Sequence, residues 1–124
     1  MDELNQLLRQ FQPRLNPGAY VFCVLQKDTA IPEGTISWFV EAEGISVILP
    51  IETAERSGLP IGFKADWITL EVYSDLSEIG LTATVSAALA NAGISCNVVA
   101  GFHHDHLFVP AGRGEEALRI LQQR

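Results

Sequence analysis

All three histidines of the chain fall within four positions, in the run GFHHDHLFVP (residues 101–110), with Asp105 among them. Imidazoles and a carboxylate packed this densely suit three kinds of chemistry: holding a metal, exchanging protons, or receiving a polar ligand. On a strand, His104 and His106 would share one face, and His103 and Asp105 the other, so each pair has chelating spacing. A structural zinc site needs about four ligands and a catalytic one about three plus water. The other soft ligands, Cys23 and Cys96, stand singly in apolar runs far off in sequence, and no CxxC pair occurs. The expectation is therefore no metal and no cofactor, with His106 packed beside Phe108 and His103 and His104 in an exposed turn. Pairing Cys96 with a histidine would make a nucleophile and base. Cys96 lies between Ser95 and Asn97, however, with no electropositive neighbour to lower its pKa. No Gly-x-Ser-x-Gly elbow is present, and GRGEE (112–116) lacks the Lys-Ser/Thr of a phosphate loop and reads as a helix start. A small enzyme or metal-binding protein using the His103–His106 cluster is thus the alternative reading. A non-catalytic binding site is the preferred one.

An amino-acid ligand needs clustered N–H donors for its carboxylate and an acceptor for its ammonium. The segment from Ser77 to Thr82 reads as a turn opening a helix, whose free amides and positive dipole end attract anions. Gly80 has no Cβ to keep a ligand from the backbone. The carboxylate is expected at the amides of Gly80 and Leu81, beside Thr82. Asp105 would hold the ammonium by a charge-assisted hydrogen bond, helped by carbonyls near Gly101. Phe102, His103 and His104 would then supply selectivity.

Composition removes other classes. With a net charge of −7 and a pI near 4.8, the chain has no basic stripe for phosphates, so no nucleic-acid partner is expected. Its eight Lys and Arg are scattered, and no apolar run approaches the ~20 residues of a membrane span, so no membrane partner is expected. The N-terminus MDELNQLLRQF opens with acids and is no signal peptide. Two unpaired cysteines fit the cytoplasm.

The elements that must position these residues follow from periodicity. Leu4, Leu7, Leu8 and Phe11 recur at helical spacing, closed by Pro13. Strands are expected at 19–25, 35–41, 45–49, 66–73 and 95–102 and in HLFVP. Short helices are expected after Pro50, up to Gly58, and from Gly112 to Gln122, with Glu115 and Arg119 paired outside. A longer helix carries Leu81, Val85, Ala88, Leu89 and Ala92 on one face and stops at Gly93. Trp38 and Trp67 fall in strands, as core or interface residues. An internal repeat organises the whole: ISVILP and HLFVP each end in a proline followed by a helix, and the strands before them keep the same offset of 60 positions. The first strands are only 47 apart, a shortfall of one short helix, so the first copy has a loop where the second has a helix. The helix at 3–11 could fill the vacant place. Exposed edge strands invite self-association, so a homodimer is expected.

The stretch LSEIGLTATVSAALANAGISCNVVAGFHHDHLFVP (76–110) resembles the small-molecule-sensing ACT domains, in the variety found in bacterial ACT-like proteins. It is more distantly similar to the ACT modules of aspartate kinases and of the mammalian cytosolic arginine sensor. Gly80, Gly93-Ile94 and the hairpin ending HDHLFVP carry the resemblance, which is close over 66–122. Over 1–65 it extends to the same bacterial proteins, whose first half is a second, degenerate unit. Glu78, Ile79 and Gly80 stand where metabolic-enzyme ACT domains have a D-x-P-G turn. The resemblance implies an α+β, ferredoxin-like (βαββαβ) fold of ACT type, duplicated, with antiparallel sheets and helices on one face. Residues 1–65 would form a degenerate half with an N-terminal helix, and 66–124 an ACT-like half. It further implies a regulatory module that senses a small molecule, an amino acid above all, without catalysis.

Overall fold

The structure, a computed structural model, describes residues 11–72 and 78–122. Seven strands run Phe11–Leu15 (β1), Tyr20–Leu25 (β2), Ser37–Val40 (β3), Ile45–Pro50 (β4), Lys64–Val72 (β5), Asn97–Ala100 (β6) and Asp105–Pro110 (β7). Three helices run Ile51–Arg56 (α1), Glu78–Asn91 (α2) and Gly114–Gln122 (α3). The described residues form two compact units, one from Gly18 to Ala65 and one joining residues 11–17 with the described residues from Asp66 onward.

In the first unit the strand order is β3-β4-β2 followed by the start of β5, where Lys64 and Ala65 pair with Val21 and Tyr20. Residues 26–36 between β2 and β3 form turns and no helix, as the 47-residue offset implies. Val21, Cys23, Leu25, Val47 and Leu49 point to one face and bury against Ala54 of α1, with Ile31 and Ile51 packed alongside. Period-two alternation explains this, since the odd-numbered residues of β2 and β4 share a face.

In the second unit the order is β1-β5-β7-β6. Ile68 and Leu70 of β5, Leu107 and Val109 of β7, Val85 and Leu89 of α2, and Ala117 and Leu121 of α3 form its core with Ile94. Gly93, at φ +78°, ends the α2 segment in a left-handed conformation that L side chains rarely adopt. Ala92, expected on the apolar face, is exposed. The close ion pair at the start of α3 joins Arg113, just before the helix, to Glu116 at 2.7 Å, in place of the Glu115–Arg119 pair expected from spacing. Each unit thus shows an antiparallel sheet with helices on one face, the duplicated ferredoxin-like plan. The repeat offset of 60 holds to the residue: β3 and β4 map onto the whole of β6 and β7, and both copies end at a proline before a helix.

One expectation is corrected. The helix proposed for 3–11 lies outside the described residues except for Phe11, and Phe11 opens a strand. Phe11–Leu15 pairs antiparallel with Val72–Ile68 and fills the fourth-strand place of the second unit. Asn16 N donates to Trp67 O (2.8 Å), so alternation turns the nitrogen of Pro13 away from β5. A proline is tolerated in a strand at such an edge, because no ladder bond is lost.

Candidate functional site

The hairpin turn between β6 and β7 presents the histidine-rich residues. Gly101 N donates to His104 O at 2.8 Å and closes the turn. A Cβ on Gly101 would lie 2.8 Å from that same carbonyl and 3.1 Å from His106 Nε2, so glycine is required here by close approach. Phe102 is 94% exposed, and its ring meets His103 edge-on at 4.9 Å. His104 is half-buried, and its Nδ1 is enclosed with no hydrogen-bond partner among the described residues. Asp105 begins β7 and is half-buried. His103 and His104 therefore stand in a turn, and the alternating two-face chelation expected of a strand does not apply to them.

His106 is committed elsewhere. Trp67 Nε1 donates to His106 Nδ1 at 3.0 Å, and the Thr69 hydroxyl lies 3.3 Å from the same nitrogen. Asn16 Nδ2 donates to Thr69 Oγ1 at 2.9 Å, which leaves the threonine proton to point at the imidazole. Arg14 continues the chain with a bond to Asn16 Oδ1 (2.9 Å) and a longer contact to Glu71 (3.6 Å). Nδ1 is thus an acceptor, the ring is neutral, and its proton sits on Nε2 beside Gly101. Burial first, and then the neighbouring His104, hold the His106 pKa below its ordinary value; Asp105 pulls the other way, and Arg14 adds the smallest lowering effect. Phe108 is buried with its ring stacked on Trp67 at 6.1 Å, so the aromatic packing expected around His106 centres on tryptophan.

Sequence reasoning missed Trp67 and Thr69 as partners of the histidine, and Asn16 behind Thr69. Alternation in DWITLEV held a signal: Trp67, Thr69 and Glu71 share the face opposite to Ile68 and Leu70. The Gly80, Leu81 and Thr82 group lies within α2, which is already helical at Glu78. The expected turn is corrected to helix over 78–82, while Ser77 lies outside the described residues. The structure therefore gathers Gly101 to Asp105 in one turn and puts Gly80 to Thr82 together on one helix.

Nucleophilic chemistry finds no support in the thiols. Burial pushes the Cys96 pKa up to about 11, which keeps it a thiol at neutral pH. Burial also raises Cys23, partly offset by a hydrogen bond from the Gly62 backbone. Among the described residues, no three His, Cys, Asp or Glu side chains converge on a point that would hold a metal ion. No described helix is long and apolar enough to cross a membrane. The first unit carries a cleft of about 400 Å³, lined by Phe22, Val24, Ile61, Phe63 and Ser46 among others.

Comparison with known proteins places this architecture. ACT domain profiles match residues 1–66 and again residues 63–123. The chain belongs to the ACT domain family. The chain resembles a Vibrio cholerae protein of unknown function, described as a possible transport protein. The two share 38% identity and a TM-score of 0.83, over 97% of this chain and 94% of that one. An Agrobacterium tumefaciens protein is 22% identical with a TM-score of 0.71, over 90% and 87% of the two chains. The ligand-free regulatory subunit of aspartate kinase from Thermus thermophilus shares the fold at 13% identity, with a TM-score of 0.57 over 90% and 95%. No curated protein matches the chain.

Proposed function

We propose that this tandem ACT protein is a non-catalytic regulatory module that binds an amino acid and works as a pair of chains in the cytoplasm. The observation that carries this reading is the pair of ACT domain matches spanning residues 1 to 123. The fold shared with an aspartate kinase regulatory subunit supports a regulatory role. In this reading the carboxylate meets the amides of Gly80 and Leu81 near Thr82, at the start of α2, where free N–H groups and the helix dipole favour an anion. The ammonium meets Asp105 or carbonyls near Gly101. Phe102 and His103, both exposed, and His104, whose enclosed Nδ1 needs a partner, read the side chain. The inert Cys96 thiol and the two free cysteines support absence of nucleophilic chemistry and a reducing compartment.

A thermal-shift screen of the protein amino acids tests the reading. A ligand that binds only the folded chain adds about 2.7 kcal/mol of stability at a hundredfold excess over its Kd, a rise of several degrees in Tm. The expected result is such a rise with one chemically related group of amino acids, which are recovered unchanged after incubation. No rise with any amino acid at millimolar concentration, or consumption of the ligand, overturns it.

A further inference from the structure

The His106 ring is wedged between a strand and a turn. On one edge, Trp67 Nε1 and the Thr69 hydroxyl of β5 converge on Nδ1, at 3.0 and 3.3 Å. Across the ring from Nδ1 is the Nε2–Cδ2 bond, and it lies against Gly101: a Cβ on that glycine would meet those two atoms at 3.1 and 3.3 Å. Gly101 is also the residue whose amide closes the β6–β7 turn on His104 O, at 2.8 Å. We propose that His106 is an acid-operated latch, whose protonation at Nδ1 parts it from Trp67, presses the ring toward Gly101 and opens the β6–β7 turn.

The donor types decide which bond gives way. An indole N–H has no lone pair to offer, so Trp67 cannot accept from a protonated Nδ1. The Thr69 hydroxyl can rotate and accept, even while its oxygen takes the bond from Asn16 Nδ2 at 2.9 Å. Protonation therefore sets donor against donor at Trp67, and relief lies toward the opposite edge, where Gly101 carries no side chain. The titratable and charged groups around the ring are His104 and Asp105, beside it in sequence, and Arg14 of β1, which reaches Glu71 of β5. His103 stands farther along the turn, its ring 6.3 Å from that of His104. β6 places Val99 opposite His106 and brings no charge. Burial and His104 disfavour the charged ring, so the latch is shut at neutral pH and opens below about pH 6.5. In the reading above this turn presents Phe102 to Asp105 to an amino acid, so acid would release that ligand. Only this consequence rests on the reading; the latch itself is tested with no amino acid present.

The experiment is heteronuclear NMR of the full chain between pH 7 and pH 5. It follows the ring nitrogens of the three histidines, the Trp67 indole N–H (told from that of Trp38 by Trp38→Phe) and the exchange of the Gly101 amide, corrected for the intrinsic rate at each pH. As His106 takes up its proton, the Trp67 indole signal should shift and Gly101 protection should fall in step, about tenfold or more, while the Ile68 and Leu70 amides of β5 keep theirs. His106→Asn keeps an acceptor for Trp67, and in it both signals should stay flat. His104→Asn should keep both responses and move their midpoint upward. Should His106→Asn lose its native circular dichroism, the parent's own ring signals decide. A His106 ring that stays neutral to pH 5, or Gly101 protection that holds while His106 titrates, overturns the latch. So does a Gly101 response that tracks His103 or His104 instead, or that persists in folded His106→Asn. Loss of Ile68 and Gly101 protection together is general unfolding and overturns it too.

Discussion

The two units share a plan, and they differ most where one of them lacks a helix. Position 98 in β6 corresponds to position 38 in β3, and each pairs with a core residue, Leu107 and Val47 respectively. Val98 packs against the second unit's core, of which Val85 and Leu89 of α2 form part. Trp38, with a loop in place of that helix, is more than half exposed. A sheet face keeps its apolar pattern after the covering element is gone, and the uncovered residues become surface. In the second unit the same pattern is used for packing, and it leaves the β6–β7 turn free to present polar side chains.

The largest test of that contrast is truncation on either side of it. Leu89→Ala removes a fully buried side chain from α2 and is expected to cost about 2–5 kcal/mol, while Ile31→Ala, in the loop of the first unit, is expected to cost about 1. Urea denaturation measures both. Equal costs would mean that the loop packs as a helix does.

Next in size is a tie inside the second unit. Asp66 accepts from Gly112 N (3.0 Å) and Gly114 N (2.8 Å) and so holds the start of α3. Asp66→Ala is expected to cost about 1–2 kcal/mol by the same assay, as loss of a helix cap does. An unchanged midpoint would show these bonds to be replaceable by water.

The pH response should come from the second unit as well. His106 has a folded pKa below its unfolded value near 6.5, so the unfolded chain binds more protons as pH falls. Its share of stability is complete above about pH 6.5 and is lost as pH falls below that value toward the folded pKa. His106→Asn keeps an acceptor near the Nδ1 position and removes the titration. The variant should lose less Tm than the parent between pH 7 and pH 5. Parallel pH profiles would remove His106 from this role.

The smallest effect belongs to the bare edge. Trp38→Thr, measured at concentrations where chains are separate, should alter stability by less than about 0.5 kcal/mol, whereas Val98→Thr should cost about 1. A larger cost at Trp38 would mean that something in its own chain covers it.

How far the sequence could be read depends on the range of the forces involved. The repeat was legible because proline before a helix and alternation along a strand are local signals, and both copies carry them. The turn at His103 and His104 was legible for the same reason, although of the two only His103 is exposed and His104 is half-buried. β1 was not, because the spacing of Leu4, Leu7, Leu8 and Phe11 favours a helix, and only pairing with β5 turns Phe11–Leu15 into a strand. Pro13 marked an edge and not an end. The tie from Asp66 to Gly112 and Gly114 spans 46 and 48 residues, and the bond between Trp67 and His106 spans 39. Contacts at such distances depend on the fold and leave no motif behind. The grouping of Gly101 to Asp105 in one turn was legible because they are neighbours in sequence, whereas Trp67 and Thr69 reach His106 from β5 and Asn16 stands behind Thr69.

The most direct test of the proposed amino-acid site is calorimetric titration with whichever amino acid gives the largest thermal shift. Parent and Asp105→Asn are compared, with Gly80→Val as a steric check and circular dichroism to confirm the fold. A charge-assisted bond to the ammonium contributes about 1.5–3 kcal/mol, so Asp105→Asn should weaken binding roughly 10- to 150-fold. Gly80→Val should block the carboxylate. If both folded variants bind as tightly as the parent, the ligand does not lie between these two elements, and the assignment is wrong.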